Sequence, residues 1–268
     1  MTLDGTTTRT GQEPGPDPIV RLVNLHRSFG TKEVLRGLDV DFAEGRTTVV
    51  LGPSGCGKSV MLKHIVGLLR PDFGEVYFDD RRIDTMSERE LVQARSQMGF
   101  LFQQSALFDS MNVRQNIAFP LREHGIAQDK REILIRDVLA KVGLIDQVDS
   151  MPASLSGGQR KRIALARAIV LSPRLILYDE PTTGLDPIRA DVINELILKL
   201  QQTLSVTSIV VTHDLASAFK VADRLIMLHE GQVILEGDER AFKQSTNPIV
   251  MRFLRGEASP EELAEISN

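Results

Sequence analysis

The sequence predicts an α/β protein whose core is a mainly parallel β-sheet. Short apolar runs rich in Ile, Val and Leu recur through the second half of the chain, and helical patterns separate the first three of them. Strands of this kind are buried on both faces, and the helices between them provide the crossovers that parallel strands require. A strand, a glycine-rich turn and a helix occupy residues 47–69 in that order and fit the same architecture.

The first half of the chain begins with strand patterns and then alternates strands with helices. Apolar residues at strand-like spacing predict strands over residues 19–25, 34–42, 47–51, 74–78 and 98–102. Gly30, between the first two strands, and Gly37, within the second, are predicted bends. Apolar residues at helical spacing predict one helix that ends near residue 69 and a second, amphipathic helix over residues 87–96.

The second half begins with a long region of helical pattern, residues 113–170, which is clearest over residues 130–142. Strands are then predicted over residues 174–178, 208–212, 224–228 and 232–235, with helices over residues 188–202 and 215–221. We therefore predict one folded domain over residues 19–256, with an inserted helical lobe at about 90–165. Residues 1–18 are polar and rich in Gly and Pro, which predicts a disordered leader, and residues 257–268 form an acidic tail.

The composition is that of a folded protein and not of a disordered one. A chain of 268 residues with 42% hydrophobic and 25% charged side chains can bury the core of one domain. The net charge of −4 gives no general electrostatic reason to expect a nucleic-acid partner. Cys56 is the single cysteine, which excludes an internal disulfide and fits a reducing compartment. No segment approaches the roughly 20 apolar residues of a membrane span, and the N-terminus lacks a signal-peptide pattern. We therefore expect a cytoplasmic protein that reaches a membrane only through a partner.

Residues 52–59, GPSGCGKS, match the phosphate-loop pattern G-x-x-x-x-G-K-[ST] and lie between a predicted strand and a predicted helix. Glycines allow the backbone to curl so that successive N–H groups and the helix N-terminus point at a polyphosphate. Lys58 would then pair with the β- and γ-phosphates, and the Ser59 hydroxyl would bind Mg²⁺. The alternative, a glycine-rich turn with a surface lysine, is disfavoured by this context. The predicted nucleotide contacts are Gly52, Pro53, Ser54, Gly55, Cys56, Gly57, Lys58, Ser59 and Val60.

Residues 175–181, LILYDEP, form an apolar run that ends in two adjacent carboxylates. Ligands of parallel sheets bind beyond the carboxyl ends of the strands, which is also the edge where the phosphate loop would lie. Asp179 is predicted to hold Mg²⁺, and Glu180 is predicted to be the base that polarises the attacking water. A solvated acidic turn is the alternative for the pair taken in isolation.

A third motif indicates the family. Residues 155–159 read Leu-Ser-Gly-Gly-Gln, and a helical pattern follows over residues 160–170. The pentapeptide alone could be a helix cap. Together with the phosphate loop and the acidic pair, it resembles the signature of the ATP-binding cassette family. The resemblance implies a phosphate-loop ATPase fold with a mainly parallel core sheet, an antiparallel β subdomain and an inserted helical lobe.

Other landmarks of that family occur in order between residues 19 and 256. By the resemblance, Gln103 contacts Mg²⁺ and the attacking water, and His213 contacts the γ-phosphate. Asp186 matches the aspartate of the D-loop, and Phe29 stands where the family places an aromatic ring to stack on adenine. One departure is Val60, which replaces the hydroxyl residue of many members and removes one hydrogen bond to the α-phosphate.

The resemblance also implies how the site is assembled. In this family two cassettes close head to tail, so that each ATP lies between the phosphate loop of one chain and the signature of the other. The signature residues that would contact the ATP of a second copy are Ser156, Gly157, Gly158 and Gln159. ATP and Mg²⁺ are the implied cofactors. The implied catalytic residues are Glu180, His213 and Gln103, and the implied metal contacts are Ser59, Gln103 and Asp179.

The segment after Gln103 indicates a branch of the family. Residues 106–124 read ALFDSMNVRQNIAFPLREH and resemble the ATPase subunits of Mla/Mce-type lipid transporters, in the region where the family docks its permease. This implies a subunit that powers phospholipid transport through a membrane permease, on the cytoplasmic face of the inner membrane. An MCE-domain lipid-binding protein and a STAS-domain regulator are the further partners implied. The alternatives are the ATPase of another importer or exporter and a soluble cluster-assembly ATPase.

Overall fold

The computed structural model describes residues 17–258. The predicted leader up to residue 16 and the predicted tail beyond residue 258 lie outside the described residues, whereas Pro18 already begins the first strand. The strands are β1 (Pro18–Phe29), β2 (Lys32–Ala43), β3 (Thr47–Leu51), β4 (Phe73–Phe78), β5 (Arg81–Arg82), β6 (Met98–Leu101), β7 (Leu175–Asp179), β8 (Thr207–Thr212), β9 (Arg224–His229) and β10 (Gln232–Gly237). The helices are α1 (Lys58–Ile65), α2 (Glu88–Arg95), α3 (Val113–Glu123), α4 (Gln128–Lys141), α5 (Gly157–Ile169), α6 (Pro187–Leu204), α7 (Leu215–Val221), α8 (Glu239–Lys243) and α9 (Pro248–Arg255).

Six strands form the core sheet, in the order β10-β9-β3-β8-β7-β6. The strands from β9 to β6 run parallel to their neighbours, and β10 pairs antiparallel with β9. Strands β3, β7 and β8 are buried along their full length, as expected for apolar strands that are covered on both faces. The predicted mainly parallel sheet is therefore confirmed.

A second sheet, of four antiparallel strands in the order β2-β1-β4-β5, packs on one face of the core sheet. Side chains that alternate along each core strand divide the apolar core into two clusters. Leu175 and Leu177 of β7 pack with the antiparallel sheet and α1, whereas Ile176 and Tyr178 pack with the helices α3 to α7. The antiparallel β subdomain that the family resemblance implied is therefore present.

The long region of helical pattern is divided into three separate helices, α3, α4 and α5. Gly125 and Gly143 follow the first two with φ of 66° and 67°, a left-handed conformation that ends a helix readily at glycine. Pro152 begins a 3-10 turn, Pro152–Ser154, that precedes α5. Strand β6 falls within the approximate bounds expected for the inserted lobe, yet it is paired with β7 in the core sheet.

Some helices differ from the predicted ones or were not predicted. Helix α1 ends at Ile65 although the apolar pattern extends to residue 69, because Gly67 turns the backbone with φ of 70°. Helices α8 and α9 were not predicted, and each buries one large apolar side chain, Phe242 and Val250, in the core. Within residues 17–258, no helix combines the length and the apolar character that crossing a membrane requires.

Candidate functional site

The carboxyl ends of four neighbouring core strands meet at one edge of the sheet. The parallel register pairs Leu51, the last residue of β3, with Thr212 of β8, and it pairs Asp179 of β7 with Val211. Strand β6 ends at the same level beside β7. These strands lead into the predicted site residues Gly52, Gln103, Glu180 and His213. The parallel register therefore brings residues that are far apart in the sequence to one edge of the sheet.

The phosphate loop needs glycine at two positions because neighbouring atoms approach its backbone closely. At Gly52 φ is 154°, and a Cβ atom would lie 2.2 Å from the carbonyl oxygen of Leu228. At Gly57 φ is 108°, and a Cβ atom would lie 2.8 Å from Leu35 Cδ2 and 3.0 Å from the Val34 carbonyl oxygen. The loop therefore has the tight curvature that a backbone cradle for phosphate oxygens requires.

Lys58 places a buried ammonium group against this loop. Its Nζ donates hydrogen bonds to the carbonyl oxygens of Gly52 at 2.7 Å and Pro53 at 3.0 Å, and it lies 3.8 Å from Glu180 Oε1. The residue before α1 is Gly57, which has no side chain to cap the helix, so the first N–H groups of α1 remain for an anion. The ammonium and the helix N-terminus thus both present positive charge at the loop.

Ser59 and Asp179 form a pair of oxygen ligands beside the loop. The Ser59 hydroxyl donates to Asp179 Oδ1 at 2.7 Å, and Asp179 is only 7% exposed. Burial raises the pKa of Asp179, and the hydrogen bond from Ser59 opposes that shift. Hydroxyl and carboxylate oxygens are the ligands that Mg²⁺ prefers, so this pair fits a magnesium site.

Glu180 is held in a conformation that residues other than glycine rarely adopt. Its φ is 49°, and its backbone N–H donates to the carbonyl oxygen of Val211 at 2.9 Å. Its Oε2 lies 2.9 Å from His213 Nδ1 and accepts a hydrogen bond from the Thr183 hydroxyl at 3.2 Å. The predicted base, Glu180, and the predicted γ-phosphate contact, His213, therefore touch each other. Backbone strain of this kind is concentrated at functional positions.

The phosphate loop, Gln103 and Glu180 border one cavity of about 440 Å³. The predicted contacts that line it include Phe29, Ser54, Lys58, Val60, Gln103 and Glu180. Phe29 is 46% exposed at the rim, where the Arg27 guanidinium carbon lies 4.9 Å from its ring centre. Lys32 and Val34 of β2 also line the cavity, and sequence reasoning missed them because no motif marks them.

The signature residues lie outside this cavity. Ser156 caps α5, since its hydroxyl accepts from the Gln159 N–H at 3.3 Å while Gln159 Oε1 accepts from the Ser156 N–H at 2.9 Å. Asp186 caps α6 in a similar way, through the Arg189 N–H at 3.0 Å. The two helix N-termini are neighbours, because a Cβ atom at Gly157 would lie 3.6 Å from Leu185 Cδ2. The signature and Asp186 of one chain therefore lie at two neighbouring helix N-termini that do not line its own nucleotide cavity.

A second cavity, of about 550 Å³, lies between α2, α3, α5, β6 and the loop at residues 102–112, which we call the Q-loop. Four phenylalanines line it, and we call it the aromatic groove. The aromatic side chains that line the groove are Phe100, Phe102, Phe108 and Phe119. The rings of Phe108 and Phe119 are 4.9 Å apart, and the Arg167 guanidinium carbon lies 5.6 Å from the Phe108 ring centre. Residues 106–124, the segment whose sequence resembles lipid-transport ATPases, supply part of this groove.

The parallel sheet, the phosphate loop between β3 and α1 and the acidic pair after β7 define a phosphate-loop nucleotide-binding protein. The ABC transporter family model matches residues 35–183. The chain is 42% identical over 244 residues to the intermembrane phospholipid transport system ATP-binding protein MlaF of Haemophilus influenzae, with 90% of this chain and 91% of that protein covered. It is 41% identical over 241 residues to the probable ribonucleotide transport ATP-binding protein mkl of Mycobacterium leprae, with 88% of this chain and 69% of that protein covered.

Among solved structures, the dimeric post-hydrolysis state of the ATP-binding cassette MJ0796, bound to ADP and Pi, has a TM-score of 0.75 at 33% identity. It covers 82% of this chain and 98% of the other. The chain therefore belongs to the ABC transporter family, as its three motifs predicted. It is an ATP-hydrolysing cassette, so the predicted fold and the predicted reaction are both confirmed. Proteins of this family bind ATP, and the cassette MJ0796 is dimeric.

Proposed function

We propose that the chain hydrolyses ATP to power phospholipid transport through a separate membrane permease. The observation that carries the proposal is the aromatic groove, which adjoins the nucleotide cavity through the Q-loop. Phe108 is 40% exposed there beside three half-buried phenylalanines, and an apolar patch of this kind is typical of a protein interaction site. Support for a lipid cargo comes from the sequence of residues 106–124 and from the relative named for intermembrane phospholipid transport.

Four residues have proposed roles in binding the nucleotide. Lys58 and the backbone of the phosphate loop hold the β- and γ-phosphates. Ser59 and Asp179 hold Mg²⁺, which when bound offsets negative charge on the phosphates. Phe29 offers its ring to the adenine at the rim of the cavity.

Three residues have proposed roles in hydrolysis. The carboxylate of Glu180 accepts the proton of the attacking water, which requires that it be ionised and within reach of the cavity. His213 contacts the γ-phosphate, and its Nδ1 lies 2.9 Å from the carboxylate of Glu180, so the imidazole stands beside the base. Gln103 lines the same cavity and positions both the water and the metal.

The second partner that we propose is another copy of this chain. The signature, Ser156 to Gln159, and Asp186 lie outside the nucleotide cavity of their own chain, at paired helix N-termini that suit a phosphate. Head-to-tail pairing would bring these residues of one copy to the cavity of the other. The dimeric cassette MJ0796, at 33% identity, supports pairing of this kind.

Ser156→Ala is expected to lower ATP turnover by about tenfold or more, because it removes a hydroxyl donor from the proposed γ-phosphate contact. The stronger test mixes Ser156→Ala chains with Lys58→Ala chains and measures phosphate release. A mixed head-to-tail pair contains one site with an unchanged phosphate loop and an unchanged signature. Turnover of the mixture should therefore exceed that of either variant alone.

Ser154→Ala is the matched control, because Ser154 is exposed and its hydroxyl donates to the Met151 carbonyl oxygen in the adjacent turn. It should leave turnover unchanged. If mixing the two defective chains never restores turnover, each site is built within one chain and the proposed pairing is wrong.

The remaining proposed partners are a multi-spanning permease, an MCE-domain lipid-binding protein and a STAS-domain regulator, with the chain on the cytoplasmic face of the inner membrane. Recovery of the tagged chain from membranes in mild detergent, followed by mass spectrometry, tests this set. A permease together with an MCE-domain protein supports the lipid assignment. A permease without one supports another cargo, such as that in the name of the mycobacterial relative. Purely soluble partners contradict transport altogether.

Phe108→Asp is expected to lower recovery of the permease at least about tenfold, because a charge in the centre of an apolar interface removes a binding hot spot. The matched control is Ile133→Asp, which places the same charge on the solvent side of α4, where Ile133 is 69% exposed. Equal recovery of the permease with both variants would show that the groove is not the docking site.

A further inference from the structure

Lys161 is a buried cation that contacts two segments of the nucleotide site at once. It lies in the second turn of α5 and is only 5% exposed. Its Nζ donates to the carbonyl oxygen of Gln103 at 3.1 Å and to the carbonyl oxygen of Glu180 at 3.2 Å. Lysine is rarely buried, because its ammonium group loses hydration, so these two bonds replace contacts with water.

Carboxylates of the nucleotide site partly offset the cost of burying this cation. Burial lowers the pKa of Lys161, and the carboxylates of Glu180 and Asp179 oppose that shift. The cation is thus accommodated where two acidic side chains of the nucleotide site lie near it. A neutral side chain of the same length would leave both carbonyl oxygens without this donor.

Both carbonyl groups belong to backbone that departs from regular structure. Glu180 has φ of 49°, and Ser105 and Ala106, which follow Gln103, have φ of 64° and 47°. Left-handed residues other than glycine persist only where their surroundings restrain them. Lys161 supplies such a restraint to each segment through a single ammonium group, although the segments are separated in the sequence by more than seventy residues.

We propose that Lys161 is a positioning residue for ATP hydrolysis, which ties the backbone of Gln103 and of Glu180 to the signature helix α5. The bond to the Glu180 carbonyl oxygen fixes the peptide group next to the Cα atom that carries the carboxylate side chain. The bond to the Gln103 carbonyl oxygen fixes the corresponding peptide group at Gln103. Lys161 is not among the residues that line the described nucleotide cavity. Its loss therefore alters the rate of the chemical step more than the affinity for ATP. This inference rests on the proposed roles of Glu180 and Gln103.

Lys161→Met keeps the unbranched side chain and removes every donor. We expect it to lower kcat of the full chain with ATP and Mg²⁺ by about 10- to 100-fold, while Kd for ATP changes by less than about threefold. Lys161→Arg retains the charge and the donors, and it should recover at least about one third of the wild-type kcat. The matched control is Lys199→Met, because Lys199 is exposed and its Nζ bonds to one carbonyl oxygen, that of Lys141, at 3.4 Å. It should keep the wild-type kcat.

Thermal unfolding establishes that each variant is folded. If Lys161→Met does not fold, Lys161→Gln replaces it with the same expectation, because its shorter amide cannot bridge both carbonyl groups. An unchanged kcat in the folded variant, or a loss of ATP affinity as large as the loss of kcat, overturns the inference. Glu180→Gln distinguishes a failure of the proposed role of Glu180 from a failure of the proposed role of Lys161. Near-normal turnover in that variant refutes the role of Glu180, whereas slow turnover there combined with normal turnover in Lys161→Met refutes only the positioning role.

Discussion

Glu180→Gln is expected to bind ATP and to hydrolyse it about 10²–10⁴-fold more slowly than the wild-type chain. The amide has the size of the carboxylate but cannot accept a proton from the attacking water. Oε2 of this side chain contacts His213 Nδ1 at 2.9 Å and accepts from the Thr183 hydroxyl at 3.2 Å and the Thr212 hydroxyl at 3.4 Å, and the amide oxygen can keep these contacts. Lys58 Nζ lies 3.8 Å from Oε1, too far for a short hydrogen bond that the substitution would break. The variant should therefore fold normally and lose only the chemical step. Phosphate release at saturating ATP and Mg²⁺ measures the effect.

The same variant is expected to accumulate as an ATP-bound dimer, because in the proposed head-to-tail pair each ATP is held by both chains and uncleaved ATP keeps them together. Size-exclusion chromatography with light scattering, with and without ATP, measures this. Glu195→Gln is the matched control, since Glu195 is an exposed carboxylate on α6 that pairs with Lys220, and it should change neither turnover nor association. Turnover of Glu180→Gln within about threefold of the wild-type value would mean that another group is the base.

Lys58→Ala is expected to weaken ATP binding by about 2–5 kcal/mol, which corresponds to roughly 30- to 5,000-fold in Kd. The ammonium group is 6% exposed and lies within hydrogen-bond reach of the carbonyl oxygens of Gly52 and Pro53. Its removal leaves the triphosphate without the cation nearest to the loop, in a place where water screens charge poorly. Isothermal titration calorimetry with ATP and Mg²⁺ measures the change.

The control for this prediction is Lys63→Ala, which removes a lysine from the exposed side of the same helix. Because Lys58 also bonds to the loop, the thermal unfolding of both variants without nucleotide shows whether the fold is intact. A folded Lys58→Ala chain that binds ATP as tightly as Lys63→Ala would contradict the proposed phosphate contact.

Most core elements were predictable because their signals are local. Thr47–Leu51 is a β-branched and apolar run, and Leu175–Asp179 is apolar up to its final aspartate, as expected of strands that are buried on both faces. Prediction failed where a single residue overrides the pattern, as at Gly67, which ends α1 before its apolar pattern does. The strand β6 was predicted from its own sequence, but its place in the core sheet was not, because that depends on pairing with β7, more than seventy residues later.

Some residues of the candidate site could likewise be predicted from local sequence, and others could not. Motifs located Lys58, Asp179 and Glu180 because phosphate and metal chemistry demands particular residue types at fixed spacing. No local pattern distinguishes Lys161 from a surface lysine, since its burial arises only when α5 packs against the ends of β6 and β7. The left-handed backbone of Glu180 is likewise a property of the folded chain. The aromatic groove could not be predicted from local sequence either, because α2, α3, β6 and α5 build it together.

The two cavities share one stretch of backbone. Gln103 lines the nucleotide cavity, whereas Phe102 and Ala106, on either side of it, line the aromatic groove. Whatever occupies either cavity therefore acts on the same few peptide bonds. Thermodynamic linkage makes that influence mutual. If bound nucleotide changes the affinity of the groove for a docked protein by some factor, the docked protein changes the affinity for the nucleotide by the same factor. Along the chain, only a few residues of the Q-loop separate the nucleotide cavity from the aromatic groove.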